Sequence, residues 1–144
     1  MQEAQKYSRY SFLLDQTARR VKQYAKQRFR ELGWTITIDQ WAVLKQLYDK
    51  GDLNQRELAT NTFKDHPTMT RIIDLLKVKN LIERKSHPTD RRSFIIALTF
   101  EGRAMVEDCL PEVQKIRMKA WENLSDEDFQ EFKRILESIY KNLS

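Results

Sequence analysis

The sequence predicts a mainly α-helical fold that carries one small β-hairpin. Apolar residues recur at i, i+3, i+4 and i+7 in several segments, the period of helices with one buried face. Glycine and proline number only three each in 144 residues, so few positions interrupt a helix. One region departs from the helical period. Ile82-Glu83-Arg84-Lys85 and Ser93-Phe94-Ile95-Ile96-Ala97-Leu98 enclose His87-Pro88-Thr89-Asp90-Arg91-Arg92, two strand-like runs around a basic turn.

The first helix is expected over about residues 7–32, with Leu14, Ala18, Val21, Ala25 and Leu32 near one face and Gly33 as its stop. A second covers residues 38–49, with Asp39 as N-cap, Trp41, Leu44 and Tyr48 on one stripe, and Gly51 as the breaker. Asn54-Gln55-Arg56-Glu57 has the spacing of a capping box and opens a short helix through Ala59. From Asp65 a fourth helix carries Met69, Ile72, Ile73 and Leu76 on its apolar face and Thr68, Arg71 and Leu75 on another. Asn80 stops it, because asparagine tolerates the left-handed conformation. After the hairpin, Thr99 caps a long helix from Phe100. Pro111 is expected to kink that helix or end it near Leu110, since proline removes a backbone hydrogen bond. Ser125-Asp126-Glu127-Asp128 is a second capping box, and Phe129, Phe132, Ile135, Leu136 and Ile139 give the last helix a strong apolar face. The order is α-α-α-α-β-β-α-α.

Composition narrows the function. The net charge of +5 is uneven: residues 1–50 carry ten basic and five acidic side chains, residues 51–99 nine and six, residues 100–144 seven and ten. The C-terminal part is thus the least suited to facing phosphate. A single cysteine, Cys109, excludes an intramolecular disulfide and fits a reducing compartment. The N-terminal residues lack an apolar run of signal type, and no stretch approaches the roughly 20 apolar residues of a membrane span. A soluble, cytoplasmic chain without a membrane partner is expected. The chain has no phosphate-binding glycine loop, no metal-ligand spacing and no nucleophile with a base. Neither an enzyme nor a cofactor or metal protein is expected. A helix with small polar residues near its start, followed at once by a basic hairpin, suits a reader of a DNA groove with a wing beside it. The long first and last helices must bury their apolar faces, most simply against each other and a second copy in a two-fold dimer.

The segments TIDQWAVLKQL, RELA, TMTRIIDLLKVKNLIER, PTDRRS and IALTFEG, in this order over about residues 38–102, resemble successive landmarks of the MarR (multiple antibiotic resistance regulator) family. Asn80 stands where the family commonly has glycine. The resemblance implies a winged helix-turn-helix with flanking dimerisation helices: one domain over 1–144, its reader at about 38–99, its dimerisation helices at about 1–33 and 100–144. It further implies a homodimer on double-stranded DNA with a pseudo-palindromic operator, each subunit placing a helix in the major groove and a wing in the minor groove. The expected activity is that of a transcriptional regulator, a repressor released by a small-molecule effector. The alternatives are a winged helix used for protein–protein contact, against which Arg91 and Arg92 argue, or a regulator without an effector.

Several side chains are candidates for DNA contact. Pro67, Thr68, Thr70 and Arg71 lie in the first turns of the reading helix, where side chains reach base edges and backbone amides favour phosphate. Arg71 has the fork to bind a guanine bidentately, worth about 1–3 kcal/mol of discrimination. His66 fits a surface or phosphate-donor role better than a metal site. Arg92 suits a narrow minor groove, where negative potential is enhanced. By the resemblance, Asp90 orients that arginine through a carboxylate–guanidinium hydrogen bond, and Arg91 supplies phosphate attraction or an internal ion pair. Lys85 and Ser93 are secondary candidates, and Arg56 and Thr60 are expected at phosphates. Trp34, Trp41, Tyr10, Tyr24 and Tyr48 either line an effector pocket or belong to the core. Cys109 shares an apolar face with Val113 and Ile116, as packing would require. Redox-sensing relatives carry their cysteine near the start of the first helix, so peroxide sensing is disfavoured.

Overall fold

The computed structural model describes residues 2–144. Six helices and a hairpin follow in the order α1 (Glu3–Glu31), α2 (Ile38–Lys50), α3 (Gln55–Asn61), α4 (His66–Val78), β1 (Ile82–Ser86), β2 (Phe94–Leu98), α5 (Phe100–Lys119) and α6 (Asp126–Asn142). Helix α1 starts at Glu3, earlier than the apolar pattern indicates. Its first turn is polar but made largely of good helix formers, so propensity extends the helix where periodicity is silent.

Most helix ends are fixed by local chemistry. The capping boxes at Asn54 and Ser125 form, each with its N3 carboxylate reaching back to the cap amide. Helix α2 is capped by Thr37 rather than Asp39. The Thr37 hydroxyl accepts from the Gln40 amide at 3.1 Å, and the Gln40 side chain accepts from the Thr37 amide at 3.2 Å. Asp39 sits instead in the first turn, where its charge suits the helix dipole, and pairs with Lys64 at 2.9 Å. Four helices stop through a residue of positive φ: Gly33 (φ 71°), Gly51 (φ 84°), Phe63 (φ 58°) and Asn80 (φ 60°). At the end of α4 the Leu81 amide donates to the Leu76 carbonyl at 3.0 Å and the Asn80 amide to that of Lys77 at 2.9 Å, the paired bonds of a Schellman stop.

Helix α5 runs past Pro111 to Lys119, so it does not end near Leu110 as expected. Proline cannot donate to the Glu107 carbonyl, but both residues lie on the exposed side, where water can satisfy that oxygen. The buried residues Val106, Cys109, Val113 and Ile116 hold the opposite side to the core on either side of the proline.

Strands β1 and β2 pair antiparallel, from Ile82 opposite Leu98 to Ser86 opposite Phe94. A third backbone segment joins them, which the sequence pattern does not announce. Leu53 and Ile96 exchange amide–carbonyl bonds of 3.2 and 2.7 Å. The core lies between α2, α3, α4, α5 and this sheet, with Leu44, Leu47, Leu58, Met69, Ile73, Leu76, Ile96 and Val106 fully buried. The corner between α4 and α5 is equally tight. The Thr99 hydroxyl donates to the Asn80 carbonyl at 2.8 Å and accepts from the Gly102 amide at 3.0 Å. A Cβ on Gly102 would stand 2.0 Å from the Leu81 carbonyl oxygen, so only glycine fits there.

Elsewhere the apolar faces are uncovered. Leu14 and Val21 of α1 are exposed, and α6 has no buried residue. Trp121 packs edge-on against Phe129 and Phe132, at 5.4 and 5.1 Å between ring centres, yet both phenylalanines remain exposed.

Candidate nucleic-acid interface

Helix α4 is placed by its two sides. Met69, Ile72, Ile73 and Leu76 anchor one side in the core, which turns Pro67, Arg71 and Asp74 outward. Its start is set by Asp65, whose carboxylate accepts from the Thr68 amide at 2.7 Å. Hydrogen bonds from the Thr68 side chain and amide hold the Asp65 carboxyl below the usual range, and the Arg71 and Lys64 charges act in the same direction. Pro67 falls in the first turn, where its missing N–H costs no helical bond.

The candidate side chains of α4 divide into free and engaged. Arg71 is exposed and, among the described residues, has no carboxylate within ion-pair distance, so Asp65 and Asp74 leave it available. Thr68 is half-buried and His66 exposed. Thr70 is engaged: its hydroxyl donates to the His66 carbonyl at 3.0 Å and accepts from Gln55 Nε2 at 2.7 Å. The same amide nitrogen lies 3.3 Å from His66 Nε2. Gln55 thus ties α3 to the start of α4. Sequence reasoning saw Gln55 only as part of a capping box, because its partner lies fifteen positions away and no local spacing reveals it. Arg56 and Thr60 are exposed on α3.

The wing is ordered by hydrogen bonds across its tip. The His87 amide donates to the Ser93 carbonyl at 3.1 Å, and the Ser93 amide to the Asp90 carbonyl at 3.2 Å. Asp90 does not hold a guanidinium. Its Oδ1 accepts from the Arg92 backbone amide at 3.0 Å and its Oδ2 from the Ser93 hydroxyl at 3.1 Å. The reason is local: an aspartate folds readily onto the amide two residues on, and this turn occupies both oxygens. Arg91 forms no internal ion pair either, and both Arg91 and Arg92 are exposed and uncompensated among the described residues. Lys85 is less free, since Glu83 lies 3.5 Å away, although such an exposed pair is weak. Arg84, which sequence reasoning passed over, lies 5.5 Å from the Phe94 ring centre.

The aromatic candidates are not gathered in one place. Trp41 is 2% exposed and belongs to the core. Tyr48 lies under the Arg103 guanidinium at 5.4 Å, and Tyr10 is exposed on α1 beside Tyr7. Trp34 packs on Phe29 at 4.8 Å and borders a crevice of about 560 Å³ walled by Lys22, Lys26 and Arg30. Tyr24 lines a separate crevice of about 620 Å³ between α1 and α5. Cys109 is buried, and burial, with Asp108 second, pushes its thiol up; a thiol held protonated is a poor nucleophile. Among the described residues no three His, Cys, Asp or Glu side chains converge as a metal site, and no helix is long and apolar enough to cross a membrane.

Comparison with known proteins agrees with this geometry. The family model described as "MarR family" matches residues 36–94. The HTH-type transcriptional repressor YetL of Bacillus subtilis (strain 168) is 32% identical over 114 residues, covering 78% of this chain and 68% of YetL. The crystal structure of the S. aureus MepR–DNA complex superposes with a TM-score of 0.81 at 27% identity, covering 92% of this chain and 97% of that one. The structure of Bordetella bronchiseptica BpsR, described with regulation of its DNA binding by 6-hydroxynicotinic acid, gives a TM-score of 0.81 at 25% identity, covering 92% and 98%.

Proposed function

Because the chain belongs to the MarR family of DNA-binding transcriptional regulators, we propose that it acts in the cytoplasm as a homodimeric repressor that a small-molecule effector releases from a pseudo-palindromic operator. The observation that carries this reading is the set of exposed arginines on α4 and the wing that have no ion pair among the described residues: Arg71, Arg91 and Arg92. Residues 38–99 are the reader, and residues 1–33 and 100–144 the dimerisation helices. The uncovered apolar faces of α1 and α6 support the dimer. A relative named as a repressor supports the direction of control.

In this reading Arg71 contacts a base edge, with Pro67 and Thr68 beside it, and Arg92 enters the minor groove. Arg91, Lys85, His66, Arg56 and Thr60 face phosphate, whereas Ser93 orders the wing tip, because its hydroxyl and its amide both donate to Asp90. Thr70 positions the helix start, because both of its hydrogen bonds are internal. The two reading helices must meet half-sites about 34–36 Å apart, one turn of DNA, or a multiple of it. An effector that binds better to a differently spaced dimer lowers DNA affinity by population shift. The crevice beside Trp34 suits a small aromatic acid. Phe29, Trp34 and Ile36 supply apolar surface, Lys22, Lys26 and Arg30 supply positive charge, and the one acidic residue of the wall, Asp39, is paired with Lys64. BpsR, whose DNA binding is regulated by 6-hydroxynicotinic acid, is a relative with an effector of that chemistry.

The test begins with selection of bound sequences from random duplexes, followed by titration of the best one. Arg92→Ala is expected to bind more weakly at physiological salt, and wild-type affinity in that variant would refute the wing assignment. Arg71→Ala is expected to lose preference at one base pair. A uniform loss on all sequences would move Arg71 to a phosphate.

A further inference from the structure

We propose that neutral His87 is the positioning residue that holds the wing arginines in place for DNA, so that its protonation weakens operator binding. The inference rests on the reading of the wing as a DNA contact. Residues 87–93 form the tip between β1 and β2. His87 Nδ1 lies 3.2 Å from the Thr89 backbone nitrogen and 3.1 Å from that of Asp90, with the Thr89 hydroxyl also at 3.2 Å. Backbone amides can only donate, so Nδ1 must offer its lone pair and the ring proton must sit on Nε2. The imidazole thus stands in for an asparagine side chain at the start of a turn.

The next link is Asp90. Its amide is held by the ring, and its carboxylate holds the Arg92 amide at 3.0 Å and the Ser93 hydroxyl at 3.1 Å. Two successive hydrogen bonds therefore connect the imidazole to the backbone of Arg92. Pro88, Thr89, Asp90, Arg91 and Arg92 are all exposed, so these bonds rather than packing order the tip. A proton on Nδ1 turns the acceptor into a donor facing two backbone donors, and both bonds to those amides are lost; the Thr89 hydroxyl can turn to accept, but that bond holds a side chain and not the backbone of the turn.

The charges around the ring do not offset that loss. The Asp90 oxygens attract an imidazolium but are already engaged by Arg92 and Ser93. Arg91 and Arg92 repel it. Further down the hairpin Lys85 pairs with Glu83, and Arg84 lies over Phe94. The sign of the effect is diagnostic. An added positive charge near phosphates by itself strengthens DNA binding on acidification. Loss of the turn weakens it.

The experiment measures affinity for a selected operator duplex at constant ionic strength from about pH 8 to about pH 5.5, the interval in which imidazoles change charge. All proteins carry His66→Gln, which removes the other histidine, and circular dichroism at each pH checks that they are folded. The parent is expected to weaken about tenfold on acidification, the scale of one or two lost hydrogen bonds. His87→Asn keeps an acceptor that does not titrate; it should match the parent at high pH and not weaken. His87→Ala should bind throughout as weakly as the acidified parent. Parent affinity that is constant or rises on acidification overturns the proposal, as does parallel weakening of His87→Asn. In those cases weaker binding by Arg92→Ala leaves the wing reading standing. Arg92→Ala binding as tightly as the parent overturns the wing reading and this inference together.

Discussion

Helices α4 and α6 carry apolar stripes of similar regularity and treat them in opposite ways. In α4, Met69, Ile73 and Leu76 are 0% exposed, whereas in α6 Phe129, Phe132 and Ile135 are 43–46% exposed. Periodicity says that a helix has a face to bury and leaves open what buries it. For α4 the cover is within the chain, and the helix can turn Arg71 outward from a rigid base. For α6 the chain offers only Trp121 and its neighbours, and in the proposed dimer the rest of the cover is a second copy. One helix is finished by its own fold, the other, in the proposed dimer, by association.

Charging the open face should have the largest effect. Phe129→Glu combined with Phe132→Glu should leave the monomer folded, since neither residue belongs to the buried core, and should shift sedimentation equilibrium from dimer to monomer. Operator affinity should fall about 10²–10⁴-fold, because the second half-site no longer binds from a tethered partner. The matching change on the closed face has the opposite profile. Leu76→Ala removes a fully buried side chain and should lower the unfolding free energy in urea by about 2–5 kcal/mol without changing the association of the folded protein. If the two variants exchange these outcomes, the assignment of closed and open faces is reversed.

A smaller effect probes how α4 fixes its own start. Hydrogen bonding to Thr68, with the Arg71 and Lys64 charges behind it, lowers the Asp65 carboxyl in the folded state. A lowered value means that the ionised form favours folding. That contribution is fully present above the ordinary aspartate value of 3.8 and is lost as pH falls through the lower folded value. The stability of wild type relative to Asp65→Asn should therefore be greatest near neutrality and vanish in acid, as read from denaturant unfolding at several pH values. A pH-independent difference would assign the cap to shape alone.

Features set within four residues were legible in the sequence. The stop at Asn80, the caps at Asn54, Thr99 and Ser125, and the stripe from Met69 to Leu76 all follow from adjacent chemistry. Where two local signals competed, the wrong one was plausible. Asp39 and Thr37 are both capping types, and Gln40, at N3 from Thr37, decides between them. The turn role of Asp90 was also readable from the residues that follow it, but the resemblance pointed to the guanidinium instead. Non-local features were out of reach. Nothing near Gln55 in sequence indicates Thr70, nothing near Leu53 indicates Ile96, and the passage of α5 through Pro111 depends on which side of the helix the core occupies. The free state of Arg71 was likewise undecided by sequence, because two aspartates lie within reach along the chain.

In the proposed function, two such readers act at a spacing fixed by the helices that the monomer leaves uncovered. The most direct test compares the selected operator with one carrying an insertion of about five base pairs, half a helical turn, between its half-sites. A spacing fixed by the dimer predicts a loss of about 100-fold or more in affinity. Unchanged affinity on the lengthened duplex would contradict it.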